Sequence, residues 1–359
     1  MQLTLNSLDL RFFGSSHAQG LGLVISGLPQ GLNLIHPQIQ LDLERRRAGK
    51  ELTSKRKEKD QPIFLSGEKD KLSTGEPLLV YFENSDVRSK DYEQSLRFPR
   101  PSHADYPAYV RYKGTVDMSG GGPFSGRMML PLVYAGALLK QVLDTKGILV
   151  ASRLVQVGRC ISSCIDAEAP EKNIDEYKRI SQKDGTPYFD CDAQAFAQEI
   201  KAAQTSGDSV GGRIQTLIFG LPVGIGGPLF EGLESKFSQV LFGIPGVKGV
   251  SFGKGFELCG LSGSSANDGI AYKAQSLEIS HLSNNMGGID GGMSNGMPIV
   301  IHTALKPTPT IYLEQQTVDL LEHKNSTQSY RGRHDPCIAL RANVVTEAAC
   351  ALVLASELI

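Results

Sequence analysis

The sequence predicts an α+β fold in which strands and helices form separate layers. Strand-like and helical runs both occur, but they do not alternate regularly along the chain, as a doubly wound sheet would require. A short internal echo is also present, because VISGLPQGL at 24–32 and IFGLPVGI at 218–225 both run from a strand into G-L-P-x-G. The echo suggests duplication of a β-containing unit.

The predicted elements follow from the spacing of apolar residues. Strand signals fall at Leu21–Ser26, Pro77–Phe82, Ile148–Val157 and Ile299–Ala304. Helical periodicity covers Gly126–Leu143, Asp192–Gln204 and Thr346–Leu358. The 39 glycines gather in short clusters between these segments, which indicates many tight turns. No low-complexity linker divides the chain, so residues 1–359 are expected to form a single domain.

The composition is that of an ordinary globular protein, with 40% hydrophobic and 21% charged residues. A net charge of −1 gives no field for nucleic acid or a membrane surface, so neither partner is predicted. The N-terminal sequence has no signal-peptide pattern, so no signal peptide is expected, and no apolar run approaches the ~20 residues of a membrane span. The six cysteines are scattered without metal-ligand spacing. These features predict a cytoplasmic protein with reduced thiols and no metal site.

The segment Glu44–Asp60, ERRRAGKELTSKRKEKD, is a local positive patch in a nearly neutral chain. Arginine forks bind phosphate and carboxylate groups, so one interpretation is a site for a small polyanion. The other interpretation is a solvated, mobile surface loop. The residues alone leave both open.

Four further stretches carry candidate chemistry. FFGSSHAQG contains His17, RPSHADY contains His103, and RGRHDPC contains Asp335 beside a proline that restricts it to extended conformations. SGGGPFSGR at 119–127 leads into a predicted helix, so its backbone N–H groups could bind an anion or simply form a turn. It is neither a Walker loop nor a dinucleotide-binding turn.

Taken in order, these stretches resemble the motifs of the chorismate synthase family over essentially the whole chain. FFGSSHAQGLG resembles the family's F-G-E-S-H-G signature. The other matching stretches are ERRRAG, NSDVRSKDY, RPSHADY, GGGPFSGR, GLPVGIGGPLF, VKGVSFGKGFE, NNMGGIDGGMSNG, ALKPTPT and GRHDPC.

The resemblance implies a carbon–oxygen lyase acting on phosphates. Such an enzyme converts 5-enolpyruvylshikimate 3-phosphate into chorismate and phosphate by anti-1,4-elimination, with reduced FMN and no net redox change. This is the last step of the shikimate pathway, which leads to the aromatic amino acids. The resemblance also implies a β-α-β sandwich with internal pseudo-two-fold symmetry, assembled as a homotetramer.

The resemblance assigns roles to individual residues. The resemblance implies that His17 would protonate or hydrogen-bond the departing phosphate and that His103 would stabilise the reduced, anionic flavin. Asp335 would lie near flavin N5 and help it take the substrate proton. The implied FMN contacts are Ser125, Gly291, Lys306, Pro307, Thr308, Pro309, Thr310 and Arg333. The implied substrate contacts are Arg46, Arg47, Arg100 and Arg127.

Some positions depart from the family pattern. Ser15 stands where a glutamate is usual, and Pro123–Phe124 replace Arg–Ser. Without a dinucleotide-binding motif, the chain is not expected to reduce its own flavin with NADPH, so an external reductant is implied. Two alternatives remain at this point: a flavin reductase, or a flavin- or phosphate-binding paralogue that has lost catalysis.

Overall fold

The computed structural model describes residues 1–54, 58–86, 97–163, 173–182, 187–273, 276–330, 332 and 334–359. In chain order the strands are β1 Gln2–Thr4, β2 Asp9–Gly14, β3 Gly20–Ser26, β4 Ile63–Ser66, β5 Glu68–Lys69, β6 Leu72–Ser73, β7 Leu78–Glu83, β8 Leu149–Val157, β9 Cys160–Ile161, β10 Gly212–Phe219, β11 Val247–Phe252, β12 Ile270–Tyr272, β13 Ile279–His281, β14 Ile289–Asp290, β15 Met293–Ser294, β16 Ile299–Leu305, β17 Gln315–Asp319 and β18 Lys324–Gln328. The helices of eight residues or more are His36–Arg46, Asp105–Tyr112, Met129–Thr145, Ile174–Ser181, Ala193–Ser206, Leu233–Phe242 and Ala339–Leu358.

Two five-stranded antiparallel sheets enclose a layer of helices. The first has the order β1-β2-β3-β7-β4 and the second β11-β16-β10-β8-β9. Helix Met129–Thr145 packs on the first sheet and the C-terminal helix Ala339–Leu358 on the second, and both join one hydrophobic core. The predicted α+β class and β-α-β layering are therefore confirmed.

The two central helices cross where one side chain is missing. A Cβ added to Gly136 would lie 2.3 Å from the Cα of Ala348, so only glycine permits this approach. A buried charge network joins the same layer, because Glu347 accepts hydrogen bonds from Arg45 at 2.7 and 2.8 Å and from Lys140 at 2.5 Å. Asp42 pairs with the same two cations.

The internal echo corresponds to a structural repeat. After β3, the Ser73 hydroxyl donates to the Pro29 carbonyl at 2.5 Å and accepts from the Leu32 N–H at 2.9 Å. After β10, Ser294 makes the equivalent bonds to Pro222 at 2.5 Å and from Ile225 at 2.9 Å. In each half a small hairpin supplies the serine, β5–β6 in the first and β14–β15 in the second. The sheets also correspond strand by strand, since β2-β3-β7-β4 matches β8-β10-β16-β11 in order.

Three expectations need correction. The C-terminal helix begins at Ala339 rather than Thr346, and Glu44–Arg46 lie at the end of a helix, with Arg45 and Arg46 buried, rather than in a mobile surface loop. The thiols are not all reduced, because Cys191 is disulfide-bonded, while Cys160, Cys259, Cys337 and Cys350 are free.

One described helix, Ala339–Leu358, is long and apolar enough to cross a bilayer. Its apolar window is 94% buried inside the fold, which is the position of a core helix rather than a membrane span.

Candidate active site

A cavity of about 650 Å³ lies where the central helices meet one end of the second sheet. Its walls come from the end of helix His36–Arg46, the glycine loop 119–127, the beginning of β11, the residues after β16 and the beginning of the C-terminal helix. Both repeats therefore contribute. The volume is in the range of small-molecule sites.

The cavity combines positive charge with apolar walls. Its cationic lining residues are Arg46, Arg47, Arg100, Arg127, Lys248, Lys306 and Arg341, and its acidic ones are Glu58, Asp60 and Asp335. Its large apolar lining residues are Met128, Met129, Phe124, Phe242, Ile244, Ile338 and Val345. Such a lining suits a ligand that carries both anionic groups and a flat apolar ring.

Arg127 and Arg46 are held by carboxylates at the floor of the cavity. Arg127 donates to Asp60 at 2.5 Å and to the Asn84 side chain at 3.1 Å, and Arg46 lies 3.7 Å from Asp60. Burial alone would raise the pKa of Asp60, but Arg127 and Arg46 outweigh it and lower that pKa. Asp60 is therefore ionised and orients both guanidinium groups.

Two guanidinium nitrogens at the cavity have hydrogen-bonding capacity to spare. Arg47 Nε and Arg127 Nη2 are buried and have no hydrogen-bond partner among the described residues; Glu58 approaches Arg127 Nη2 only to 3.8 Å. A buried donor without an acceptor is costly, and an anionic ligand would satisfy it.

His17 lies behind the glycine loop. A Cβ on Gly120 would lie 1.9 Å from His17 Cε1, so the ring rests directly against a residue that lines the cavity. Its Nδ1 is 3.1 Å from the hydroxyl of Ser16, which also reaches the Ser119 carbonyl at 3.0 Å. In place of a carboxylate at Ser15, the nearby acid is Asp117, whose pKa is lowered by hydrogen bonds from Ser119 and to a smaller extent by His17.

His103 also lines the cavity, and its ring lies beside Gly121, the next residue of the glycine loop. A Cβ on Gly121 would lie 3.4 Å from His103 Nε2. Gly120, Gly121 and Gly122 all have positive φ, at 60°, 92° and 51°, so the loop can pass closely between the two histidines.

Asp335 lines the cavity and is fixed by hydrogen bonds from two sides. Its Oδ1 accepts from the Ser54 N–H at 2.7 Å, and its Oδ2 accepts from Arg341 Nη1 at 2.6 Å. Arg341 also donates through Nε to the Arg46 carbonyl at 2.9 Å, which ties the C-terminal helix to the arginine cluster.

The segment Lys306–Thr310 and Ser125 complete the lining. Lys306 donates to the Ser102 carbonyl, and burial together with nearby Lys248 lowers the pKa of Lys306. Thr308 donates to the Asp335 carbonyl at 2.9 Å, and Ser125 caps the short turn that contains Arg127.

The structure brings most of the predicted site residues together. Those that line the cavity are Arg46, Arg47, Arg100, His103, Ser125, Arg127, Lys306, Pro307, Thr308, Pro309, Thr310 and Asp335. Gly291 is not among them and lies in the β14–β15 hairpin of the second repeat. Arg333 lies outside the described residues.

Sequence reasoning missed Glu58, Asp60, Lys248 and Arg341 as lining residues. Glu58 and Asp60 fall within the segment interpreted as a positive patch, where a count of net charge conceals acids that pair with the arginines of the site. Arg341 had a signal, because it is the one charged residue in the ALRANVV stretch of the last helix and needs a partner there.

Comparisons with known proteins agree along the whole chain. The family model described as chorismate synthase matches residues 8–359. The chorismate synthase of Thermococcus kodakarensis is 40% identical over 353 residues, covering 98% of this chain and 96% of that protein. That of Pyrococcus abyssi is 41% identical over 355 residues with the same coverage. A crystal structure of a chorismate synthase superposes with a TM-score of 0.75 at 25% identity, covering 99% of this chain and 92% of that one.

Proposed function

The chain belongs to the chorismate synthase family, and on that premise we propose that the 650 Å³ cavity binds reduced FMN together with 5-enolpyruvylshikimate 3-phosphate. Chorismate synthases carry out the last step of the shikimate pathway. The function predicted from the sequence is confirmed at that level, and a flavin reductase or a non-catalytic paralogue is not favoured.

One observation carries the proposal: guanidinium groups, two of them with a buried nitrogen that has no described hydrogen-bond partner, line the same cavity as His103 and Asp335. The ring of His17 lies against the wall of that cavity. The substrate has one phosphate and two carboxylates, which match the forks of Arg46, Arg47, Arg100 and Arg127. The apolar walls and the glycine loop fit a flat ring that approaches the backbone closely. The residues present thus fit both molecules.

The residues of the chain orient the reactants and handle protons. The arginines hold the phosphate and carboxylates in one position, so the reacting groups are already aligned when the reaction begins. His17 hydrogen-bonds or protonates the departing phosphate, and Asp335, immobilised by Arg341 and Ser54, would lie near flavin N5 and assist removal of the substrate proton. When bound, reduced FMN supplies transient electron density to the carbon that loses phosphate.

The test is an anaerobic incubation with 5-enolpyruvylshikimate 3-phosphate and chemically reduced FMN, followed by measurement of phosphate and chorismate. We expect equal amounts of both products, and a loss of turnover in the His17→Ala variant. Good flavin binding with no product would contradict the proposed catalysis. Unchanged turnover of His17→Ala would remove that residue from the mechanism.

We propose that the reductant is external. The strand pairs within the described parts of the chain are antiparallel, unlike the parallel sheet of a dinucleotide-binding fold. Oxidised FMN with NADPH as the only reductant should therefore support no chorismate formation, and activity under those conditions would contradict the proposal.

We propose that residues 1–359 act as one domain and that copies assemble into a homotetramer. Large apolar side chains are exposed within residues 223–293, among them Leu229 at 83%, Phe230 at 88% and Leu277 at 93%. An apolar surface of this kind favours association. Light scattering of the purified protein should give four times the chain mass, and a monomer would contradict the proposal.

The cytoplasmic location predicted from the sequence remains a proposal that suits a biosynthetic enzyme. Gly291 and Arg333 likewise remain predicted FMN contacts, which flavin titration of their alanine variants would test.

A further inference from the structure

Asp105 is a buried acid directly beneath His103. Its Oδ1 lies 2.6 Å from His103 Nδ1, and its side chain is 3% exposed. The same carboxylate accepts from Arg100 at 2.7 Å (Nε to Oδ2), 2.8 Å (Nη2 to Oδ1) and 3.0 Å (backbone N to Oδ2). Asp105 does not line the cavity, whereas Arg100 and His103 do.

The carboxylate determines which nitrogen of His103 carries the proton. Burial would raise the pKa of Asp105, but hydrogen bonds from Arg100 and His103 outweigh it and lower that pKa, so Asp105 is ionised. An ionised carboxylate only accepts hydrogen bonds, and at 2.6 Å it requires a proton on Nδ1. Arg100 Nη2 lies 3.1 Å from Nδ1 as well. Because Nη2 is itself a donor, this contact is not a hydrogen bond when Nδ1 carries the proton.

The other nitrogen of His103 is directed toward the site. Nε2 is the nearest atom, at 3.4 Å, to a Cβ added to Gly121 in the glycine loop. Burial lowers the pKa of His103, Arg100 and Lys306 act in the same direction, and Asp105 opposes them. Without ligand the ring is therefore neutral, with its proton on Nδ1 and none on Nε2.

We propose that Asp105 is a positioning residue that holds His103 in the Nδ1–H tautomer, so that Nε2 faces the bound ligand. Arg100 anchors Asp105 for this task through both carboxylate oxygens. The identification of that ligand as flavin rests on the proposed function, whereas the tautomer itself does not.

The test is Asp105→Asn in the full chain, observed by ¹⁵N NMR of histidine-labelled protein without ligand. The single amide oxygen should stay with Arg100, so the NH₂ group faces Nδ1 and forces the proton onto Nε2. We expect His103 to carry its proton on Nδ1 in the wild type and on Nε2 in the variant, with the resonances assigned from His103→Gln. Turnover should fall on the order of 10²-fold or more, since a reversed histidine tautomer is severely damaging in other enzymes.

Two controls separate positioning from folding. Asp175→Asn removes a 96% exposed acid from the first turn of another helix and should change neither tautomer nor turnover. In the His103→Gln background, Asp105→Asn should cause no further loss of turnover, because its effect passes through His103.

Several results would overturn the proposal. These are a wild-type His103 protonated on Nε2, an unchanged tautomer in Asp105→Asn, or a further loss of turnover in the double variant. The wild-type spectrum alone tests the proposed tautomer of His103, even if the variant does not fold. A wild type that makes no chorismate but shows the predicted tautomer and its reversal would refute the proposed function and leave the Asp105–His103 pair standing.

Discussion

Replacing Gly120 by alanine should displace His17 without unfolding the protein. The new Cβ would lie 1.9 Å from His17 Cε1 and 2.2 Å from Nδ1. Carbon atoms in contact are separated by roughly 3.5–4 Å, so the ring must move by roughly 1.5 Å. The φ of 60° adds a backbone cost of about 1–2 kcal/mol for a non-glycine residue.

A shift of this size at a proton-transfer residue costs about 10²-fold in turnover. The assay is anaerobic chorismate formation with reduced FMN, beside a denaturation curve of the same preparation. Gly147→Ala is the matched control, because Gly147 also has a positive φ, 72°, but its added Cβ meets no atom within 4 Å. Both variants should lose at least the backbone cost of about 1–2 kcal/mol of stability, and only Gly120→Ala should lose turnover.

The reasoning would be refuted if Gly120→Ala and Gly147→Ala had the same turnover. Equal turnover would mean either that the loop yields instead of the ring, or that His17 has no part in the reaction. A histidine ring shift seen by NMR in Gly120→Ala distinguishes these, and a shifted ring with full turnover removes His17 from the mechanism.

Three other predictions concern stability. Burial, with Arg213 and Arg153 nearby, lowers the pKa of His302 to about 4, so the unfolded chain binds more protons than the native protein between about pH 4 and 6.5. Lowering the pH from 7.5 to 5 should therefore cost about 2 kcal/mol of unfolding free energy through this group; His302→Gln should remove that part of the pH dependence and His323→Asn, at an exposed site, should not. Glu347→Ala leaves buried cations underpaired and should lower the unfolding free energy by about 3–5 kcal/mol. A loss in urea titration no larger than that of an exposed ion pair would contradict that account. Ser73→Ala and Ser294→Ala should each cost about 1–3 kcal/mol and by similar amounts, since they break equivalent bonds, and a large difference in denaturation midpoint would argue against structural equivalence of the repeats.

Strands were the most predictable part of the fold. Leu21–Ser26 and Ile299–Ala304 match β3 and β16 to within a residue at each end, because apolar runs with glycine or proline nearby on both sides mark strands buried in a sandwich. The start of the C-terminal helix was not predictable in this way. Ala339–Leu358 is buried on nearly all sides, so its first turns show no polar face that would reveal the helical period.

The sequence predicted which residue types form the candidate site, but only partly how their side chains are arranged. The resemblance identified His103 and the arginines that meet at the cavity, but nothing in the sequence placed the acids among them. Asp60 and Glu58 are acceptors that the arginines need once buried, and such pairing depends on distances across the fold. The position of Gly291 away from the cavity also depends on how the second repeat folds back on itself.

The structural repeat divides the cavity between two parts of one chain. Arg46, Arg47, Arg100, Arg127 and the glycine loop 119–127 come from the first half, while Lys306–Thr310, Asp335 and Arg341 come from the second. Neither half alone encloses the cavity, so a half-length chain would present only one wall. Ligand binding therefore requires that both halves have folded against each other, and it should report on completion of the whole fold.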